Sequence, residues 1–488
     1  MRKRFEVQLV LGRTPVEKVI LPLKSRDELP PILAGLQWIY LTPEINEPIF
    51  ALLEAKVVGG KKATGRPGLD LWHILVLGVV RLGLDCDYDR LEDLANHHSL
   101  LRQILGLSPV LSADEKPFHY KTLSDNVCLV DEQLLQQINA MVAQAGRAVF
   151  KKKENAPAEP IQAKADTYVL ETDIHYPTDL NLLWDAQRKC LELIVRLVDH
   201  YELPGWRKDQ AWGRQLKGQM IGVTRLLAGG GPNQQERSRA AVAAYVQSSY
   251  RFEQKCWDTM HALPPPADLV EVLEREPLDF FHPMMIKLLD LLERRQLQGQ
   301  AIPHAEKIFS IFEPHTQLIK KGKLFPPIEF GHKVLITTDQ HALILDYRVM
   351  DQPNEVDEAI PLADRLWERY GEGSVLSLSF DKGFTREEDR QLLACYIPEV
   401  IMPKRGKRNA LEQERERARR FVQLRHQHHA IESDINCLEH HGLNRCLDRG
   451  LWGFQRYVGF GVLAYNLHKI GARLLARQAL DTGQQQAA

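Results

Sequence analysis

No stretch of this 488-residue chain approaches the roughly 20 uninterrupted apolar residues that cross a bilayer. A membrane-spanning helix is therefore not expected. The basic start, Met1-Arg-Lys-Arg-Phe-Glu6, lacks the apolar core of a secretory signal. Cysteine is scarce, with seven scattered residues. An odd, dispersed set argues against a disulfide framework and for a reducing cytoplasm. Net charge is also missing: 63 Lys and Arg stand against 64 Asp and Glu, giving −1. Whole-molecule attraction to nucleic acid is thereby excluded, and any phosphate contact must come from local patches. What remains is a globular composition, long enough for two or three domains.

Residues 1–60 are mixed, with a strand expected over 5–12 and a helix over 43–58. A Gly-rich basic connector follows at 59–68. Residues 69–84, 88–97, 99–105 and 121–145 have helical spacing and make an all-helical N-terminal domain, 61–150. That module reads either as a scaffold or as a helix-turn-helix-like DNA-binding unit. The charged, Pro- and Ala-rich stretch 151–165 reads as a linker. Residues 167–172 read as a strand with Asp173 near its end, followed by a helix over 180–200. Residues 201–325, rich in Gln, Arg and Lys, read as a helical insertion. Two strands with a tight connection at 338–341 imply an antiparallel hairpin. A helix over 355–370 leads to the strand 375–380, which ends in Asp381-Lys-Gly-Phe384. Another short strand, the basic loop Lys404-Arg-Gly-Lys-Arg408 and a long charged helix over 411–437 complete the core. Trp184, Trp452 and the apolar run 458–467 read as core, and the tail 476–488 as disordered. The class is α/β, with a mixed sheet, flanking helices and a helical insertion after the first core strand.

Chemistry concentrates at acids near element ends. In an open α/β sheet, an acid at a strand's C-terminal end faces the crevice where ligands bind. Asp173 and Asp381 hold such positions, although a plain turn aspartate remains open for Asp381. On the last helix, Phe421, Leu424, Ile431, Ile435 and Leu438 form a buried stripe. Arg425, His429, Glu432, Asn436 and Glu439 line another face. Asp173, Asp381 and Glu432 thus supply three carboxylates from three elements. Acids held together repel unless a cation neutralises them. Hard oxygen donors select Mg²⁺ or Mn²⁺, and two such ions suit cleavage of a phosphodiester.

The same stretches, in the same order, resemble the DDE transposases of bacterial insertion sequences, nearest those not yet assigned to a classified group. The likeness rests on Gly65-Arg-Pro-Gly-Leu-Asp70 with Tyr88-Asp-Arg-Leu-Glu-Asp-Leu94, and on Thr172-Asp-Ile-His-Tyr-Pro-Thr-Asp179. It continues through Lys320-Lys-Gly-Lys323 with Glu329-Phe-Gly-His-Lys-Val-Leu335, Asp381-Lys-Gly-Phe384, and His429-Ala-Ile-Glu432 with Gly442-Leu-Asn-Arg-Cys446. It covers most of 60–475. The resemblance implies a ribonuclease H-like catalytic domain over 166–200 and 326–475. It implies Asp173, Asp381 and Glu432 as a metal-binding triad for two Mg²⁺ ions. The implied enzyme frees a 3′-hydroxyl at a transposon end and joins it to target DNA. Its partners are double-stranded DNA and further copies of itself, as a homodimer or higher synaptic oligomer. Many relatives carry Arg three residues before the glutamate and Lys seven after it; here those places hold His429 and Glu439.

Residues 404–425 contain nine Lys and Arg against three acids. They read as a DNA-backbone contact or as a solvated, internally paired helix. Lys404, Arg405, Lys407 and Arg408 belong to that contact, with Arg425, His429 and Lys382 beside the acids. The His- and Cys-dense patch over 426–446 matches no usual zinc spacing. A nuclease that cuts without joining, and an inactive DNA-binding descendant, remain the alternatives.

Overall fold

The sheet is built around one long strand, β1 (Ile161–Thr172). A computed structural model describes residues 2–5, 13–59, 68–113, 115–151, 159–320 and 327–487. The strand expected at 5–12 beyond its first residue, most of the 59–68 connector and residues 152–158 of the expected 151–165 linker lie outside these residues, while 161–165 of that linker are strand. The other strands are β2 (Gln317–Lys320), β3 (Ile328–Thr338), β4 (Ile344–Val349), β5 (Val375–Phe380), β6 (Glu399–Ile401) and β7 (Arg445–Cys446). The order is β2-β3-β1-β5-β6, with β4 beside β3 and β7 beside β1. β3 runs antiparallel to β1 and to β4. β5 is parallel to β1, and β6 to β5. A mixed α/β sheet with flanking helices is thus present, as the sequence led one to expect.

The β3–β4 hairpin turns on Asp339. Its Oδ1 accepts the backbone N–H groups of His341 (2.8 Å) and Leu343 (3.0 Å). β1 begins six residues before the expected 167. Its alternation explains the sheet's two faces. Ile161, Ala163 and Ala165 pack with Leu378, Phe380 and the helix Ala359–Tyr370. Lys164 and Asp166 lie on the opposite face, where the C-terminal helices pack.

The chain divides into two compact units, Met1–Asp173 with Ile319–Ala488, and Ile174–Leu318. The inserted unit therefore starts at Ile174. It includes the Asp179–His200 helix, which the sequence had placed with the sheet. Thr178 caps that helix, its Oγ1 accepting the Asn181 N–H (3.2 Å). Three further helices, Asp209–Ala228, Gln234–Ala262 and Leu269–Gln296, close around Leu183, Tyr245, Phe252 and Leu289.

The N-terminal helices do not form a separate module. One core joins them to Tyr168, Leu170, Val334 and Ile336 of the sheet. All thirteen residues of the Leu71–Gly83 helix are buried, which leaves it no face for a DNA groove. The Leu29–Leu41 and Gly450–Ala487 helices touch backbone to backbone at Gly35 and Gly471, where a Cβ would collide with the partner's carbonyl oxygens. The last helix continues to Ala487 over the tail expected to be disordered. Residues 458–467 of it are core, but Trp452 is exposed. Among the described residues, no helix is long and apolar enough to cross a membrane.

Candidate functional site

The register of β1 against β5 decides which acids meet. Lys164 pairs with Ser379 and Ala165 with Phe380. One step further sets Asp166 beside Asp381, on strands about 4.8 Å apart. Asp166 is largely buried, and its Oδ1 accepts the Thr167 N–H (2.7 Å). Burial pushes its carboxyl up to about 7, despite that hydrogen bond. The remaining contributions come from the carboxylates of Asp381, Glu355 and Glu432, each raising it further. Four acids therefore gather here, drawn from two strands, a short turn and a helix.

Glu432 projects from the Ala430–Leu438 helix and is 74 % exposed, its Oε1 lying 3.7 Å from His429 Nδ1. Glu355, which the sequence reading did not select, opens the turn Glu355–Glu358 before the Ala359–Tyr370 helix. It accepts hydrogen bonds from Thr167 Oγ1 (2.7 Å) and Lys333 Nζ (2.7 Å). Its other oxygen fills the space that a Cβ on residue 383 would need. Gly383 in Asp381-Lys-Gly-Phe384 is thus explained by close approach of a carboxylate, where sequence suggested only a sharp turn. His428 lies beneath, buried, with Nδ1 3.1 Å from Ser379 Oγ. Burial pushes its pKa down to about 4, against the pull of Asp381, so it is neutral at pH 7.

Asp173 does not join this group. It follows β1, seven residues past Asp166, roughly 23 Å along an extended strand. There its Oδ1 lies 3.5 Å from Arg445 Nε. The triad expected from sequence must be corrected at its first member. β5 ends against the middle of β1, so an acid at the far end of β1 cannot neighbour Asp381. With the strand expected to start at 167, Asp166 fell just outside it. The missed signal was the alternation Gln162, Lys164, Asp166 against Ile161, Ala163, Ala165.

The expected helix over 411–437 is three, Ala410–Arg417, Arg419–His428 and Ala430–Leu438. The basic residues divide accordingly. Lys404 Nζ donates to Glu412, and Arg408 Nε lies 2.7 Å from Glu416 Oε2. Asn409 and Glu412 complete a capping box at the first of these helices. Arg405, Lys407 and Lys382 are exposed, Arg425 is half-buried and His429 exposed.

Among the described residues, no group of three or more His, Cys, Asp and Glu side chains stands close enough to hold a metal ion. The donors nonetheless fit a hard divalent cation in kind. Asp166 and Asp381 adjoin, and Asp381, Glu355 and Glu432 each raise the Asp166 carboxyl. No family model, curated protein or solved structure matches the chain.

Proposed function

We propose that the chain is a DNA transposase with a ribonuclease H-like sheet, and that Asp166, Asp381 and Glu432 carry its phosphoryl-transfer site. The observation that carries this is the β1–β5 register, which brings Asp381 beside Asp166, where it raises the Asp166 carboxyl. The strand order supports it: an antiparallel hairpin on one side of β1 and a parallel pair on the other. Asp166, Asp381 and Glu432 would hold two Mg²⁺ or Mn²⁺ ions. The chemistry such ions supply is activation of the attacking oxygen and stabilisation of the leaving one. Thr167 and Lys333 hold Glu355 in place, and Glu355 in turn packs against the Asp381 turn. His428, neutral and hydrogen-bonded to Ser379, ties the end of the Arg419–His428 helix to β5, just ahead of the helix that carries Glu432. Lys382, exposed next to Asp381, is placed to meet a phosphate. The DNA partner and the synaptic oligomer are part of this reading.

The test is strand cutting at transposon ends and joining to a plasmid, with Mg²⁺. Asp166→Ala and Asp381→Ala should each lower cutting by on the order of 10³-fold, with DNA binding retained. Asp173→Ala should cut normally. Loss of cutting in Asp173→Ala with normal cutting in Asp166→Ala would overturn the assignment. Cutting without joining would reassign the chain as a nuclease.

A further inference from the structure

Two residues down β1 from Asp166, on the same face, stands Lys164, only 8 % exposed. It lines a cavity of about 190 Å³ between the sheet and the Arg419–His428 helix, shared with Ser377, Ser379, Leu424 and Gln427. Among the described residues, no carboxylate lies within 4.0 Å of its ammonium and no hydrogen bond holds it. Of the acids that face it, Asp339 pairs with Arg147 (3.1 Å), and Asp434 accepts from Tyr465 Oη at Oδ1 (2.9 Å) while its buried Oδ2 has no hydrogen-bond partner among the described residues; neither comes within 4.0 Å of the ammonium. His428 is engaged with Ser379, whose hydroxyl also donates to Ala163 O (3.3 Å).

An unpaired ammonium is costly to bury. Lys164 presents donors only, and Ser377 adds a hydroxyl, so the cavity fits an acceptor-rich anion. The volume suits one phosphate group or a few waters. Two strand residues span about 7 Å, close to the spacing of neighbouring phosphates on a nucleic-acid strand.

We propose that the Lys164 cavity is a phosphate-binding subsite, filled by the strand phosphate next to the one held at Asp166 and Asp381. Assigning that phosphate to DNA rests on the function proposed above; affinity for phosphate itself does not. Calorimetric titration of the full chain, without metal, tests both parts with two probes, inorganic phosphate and a five-nucleotide single-stranded DNA. Wild-type protein should bind both, the DNA more tightly. Lys164→Met should weaken both at least tenfold, Lys164→Arg should recover part of that, and Ser377→Ala should weaken both severalfold. Asp381→Ala, expected to abolish cutting, should bind phosphate as the wild type does. Ser377→Ala deletes a single hydroxyl and carries the test if Lys164→Met fails to fold. Wild-type affinity in Lys164→Met and Ser377→Ala, or no binding of either probe by the wild type, would overturn the subsite. Equal affinity for the two probes would overturn the DNA strand as its source.

Discussion

Buried acids of this protein are handled in contrasting ways. In the frame, two aspartates are each neutralised by a pair of arginines. Asp346 on β4 is fully buried between Arg365 (2.9 Å) and Arg369. Asp448, ahead of the last helix, lies between Arg81 (2.7 Å) and Arg456 (3.1 Å), with the Arg81 guanidinium 4.0 Å over the Tyr88 ring. At the candidate site no arginine pairs with Asp166 among the described residues, and the charges that act most on it are the carboxylates of Asp381, Glu355 and Glu432. The same burial that the frame offsets with arginine is left uncompensated there. A fold that can supply arginines to two buried aspartates has withheld them from a third. That absence is what a site for an external cation requires.

The comparison breaks most sharply under deletion. Asp346→Ala leaves two arginines facing each other in the core and should cost about 3–5 kcal/mol in urea unfolding. Asp166→Asn removes an unpaired carboxylate and should change stability by less than about 1 kcal/mol, or raise it. If Asp166→Asn were as damaging as Asp346→Ala, the acid would be part of the frame. Mg²⁺ gives the next largest effect. At tenfold excess over Kd, it should stabilise the wild type by about 1.4 kcal/mol. The melting temperature of Asp166→Asn should not follow.

An unpaired acid alone is not a site, and Glu132 sharpens that point. Burial pushes its carboxyl up to about 7, although Gln136 donates to it (3.3 Å). Its folded pKa lies above its ordinary value of 4.5. The folded state therefore binds the proton more tightly. The stability this contributes is full below pH 4.5 and is lost as pH rises through 7. Glu132→Gln should flatten the stability profile between those values, by up to about 3 kcal/mol. The charges that act on Glu132 are of both signs, Arg348 against Asp351 and Asp131, whereas those named for Asp166 are three carboxylates. Convergence, more than burial, marks the candidate site.

The elements were more legible than their meeting points. Strands over 328–336 and 375–380, the hairpin and the Asp381 turn follow from alternation and turn chemistry, which are local. The pairing of Asp166 with Asp381 is set by register between strands more than 200 residues apart, and no local pattern encodes it. β1 carries Gln162, Lys164 and Asp166 on its functional face, so its first half looked like a polar linker. For the Leu71–Gly83 helix, apolar helical spacing left a scaffold and a DNA-reading module both open; the last helix of the chain packs on it, Phe460 against Gly78, and it is buried all round. Glu355 had no signal of its own, and only Gly383 hinted that something fills the space beside the Asp381 turn.

The smallest effect separates paired from unpaired charge on the surface. Lys404 and Arg408 are matched to Glu412 and Glu416, while Arg405 and Lys407 between them are exposed. A cation that already has a carboxylate gains little from a phosphate, because the old pair must be broken. Arg405→Ala with Lys407→Ala should therefore weaken DNA binding severalfold and lower the salt-dependence slope by roughly two contacts' worth, about 1.8. The loop should otherwise keep its stability. Lys404→Ala should leave the slope unchanged and cost stability instead, about 0.5–1 kcal/mol, through the loss of its bond to Glu412. Binding measured across a salt series, beside unfolding of the same variants, reads both quantities. A slope that falls equally for Lys404→Ala and Lys407→Ala would show that DNA recruits the whole loop and that its internal pairs open on binding.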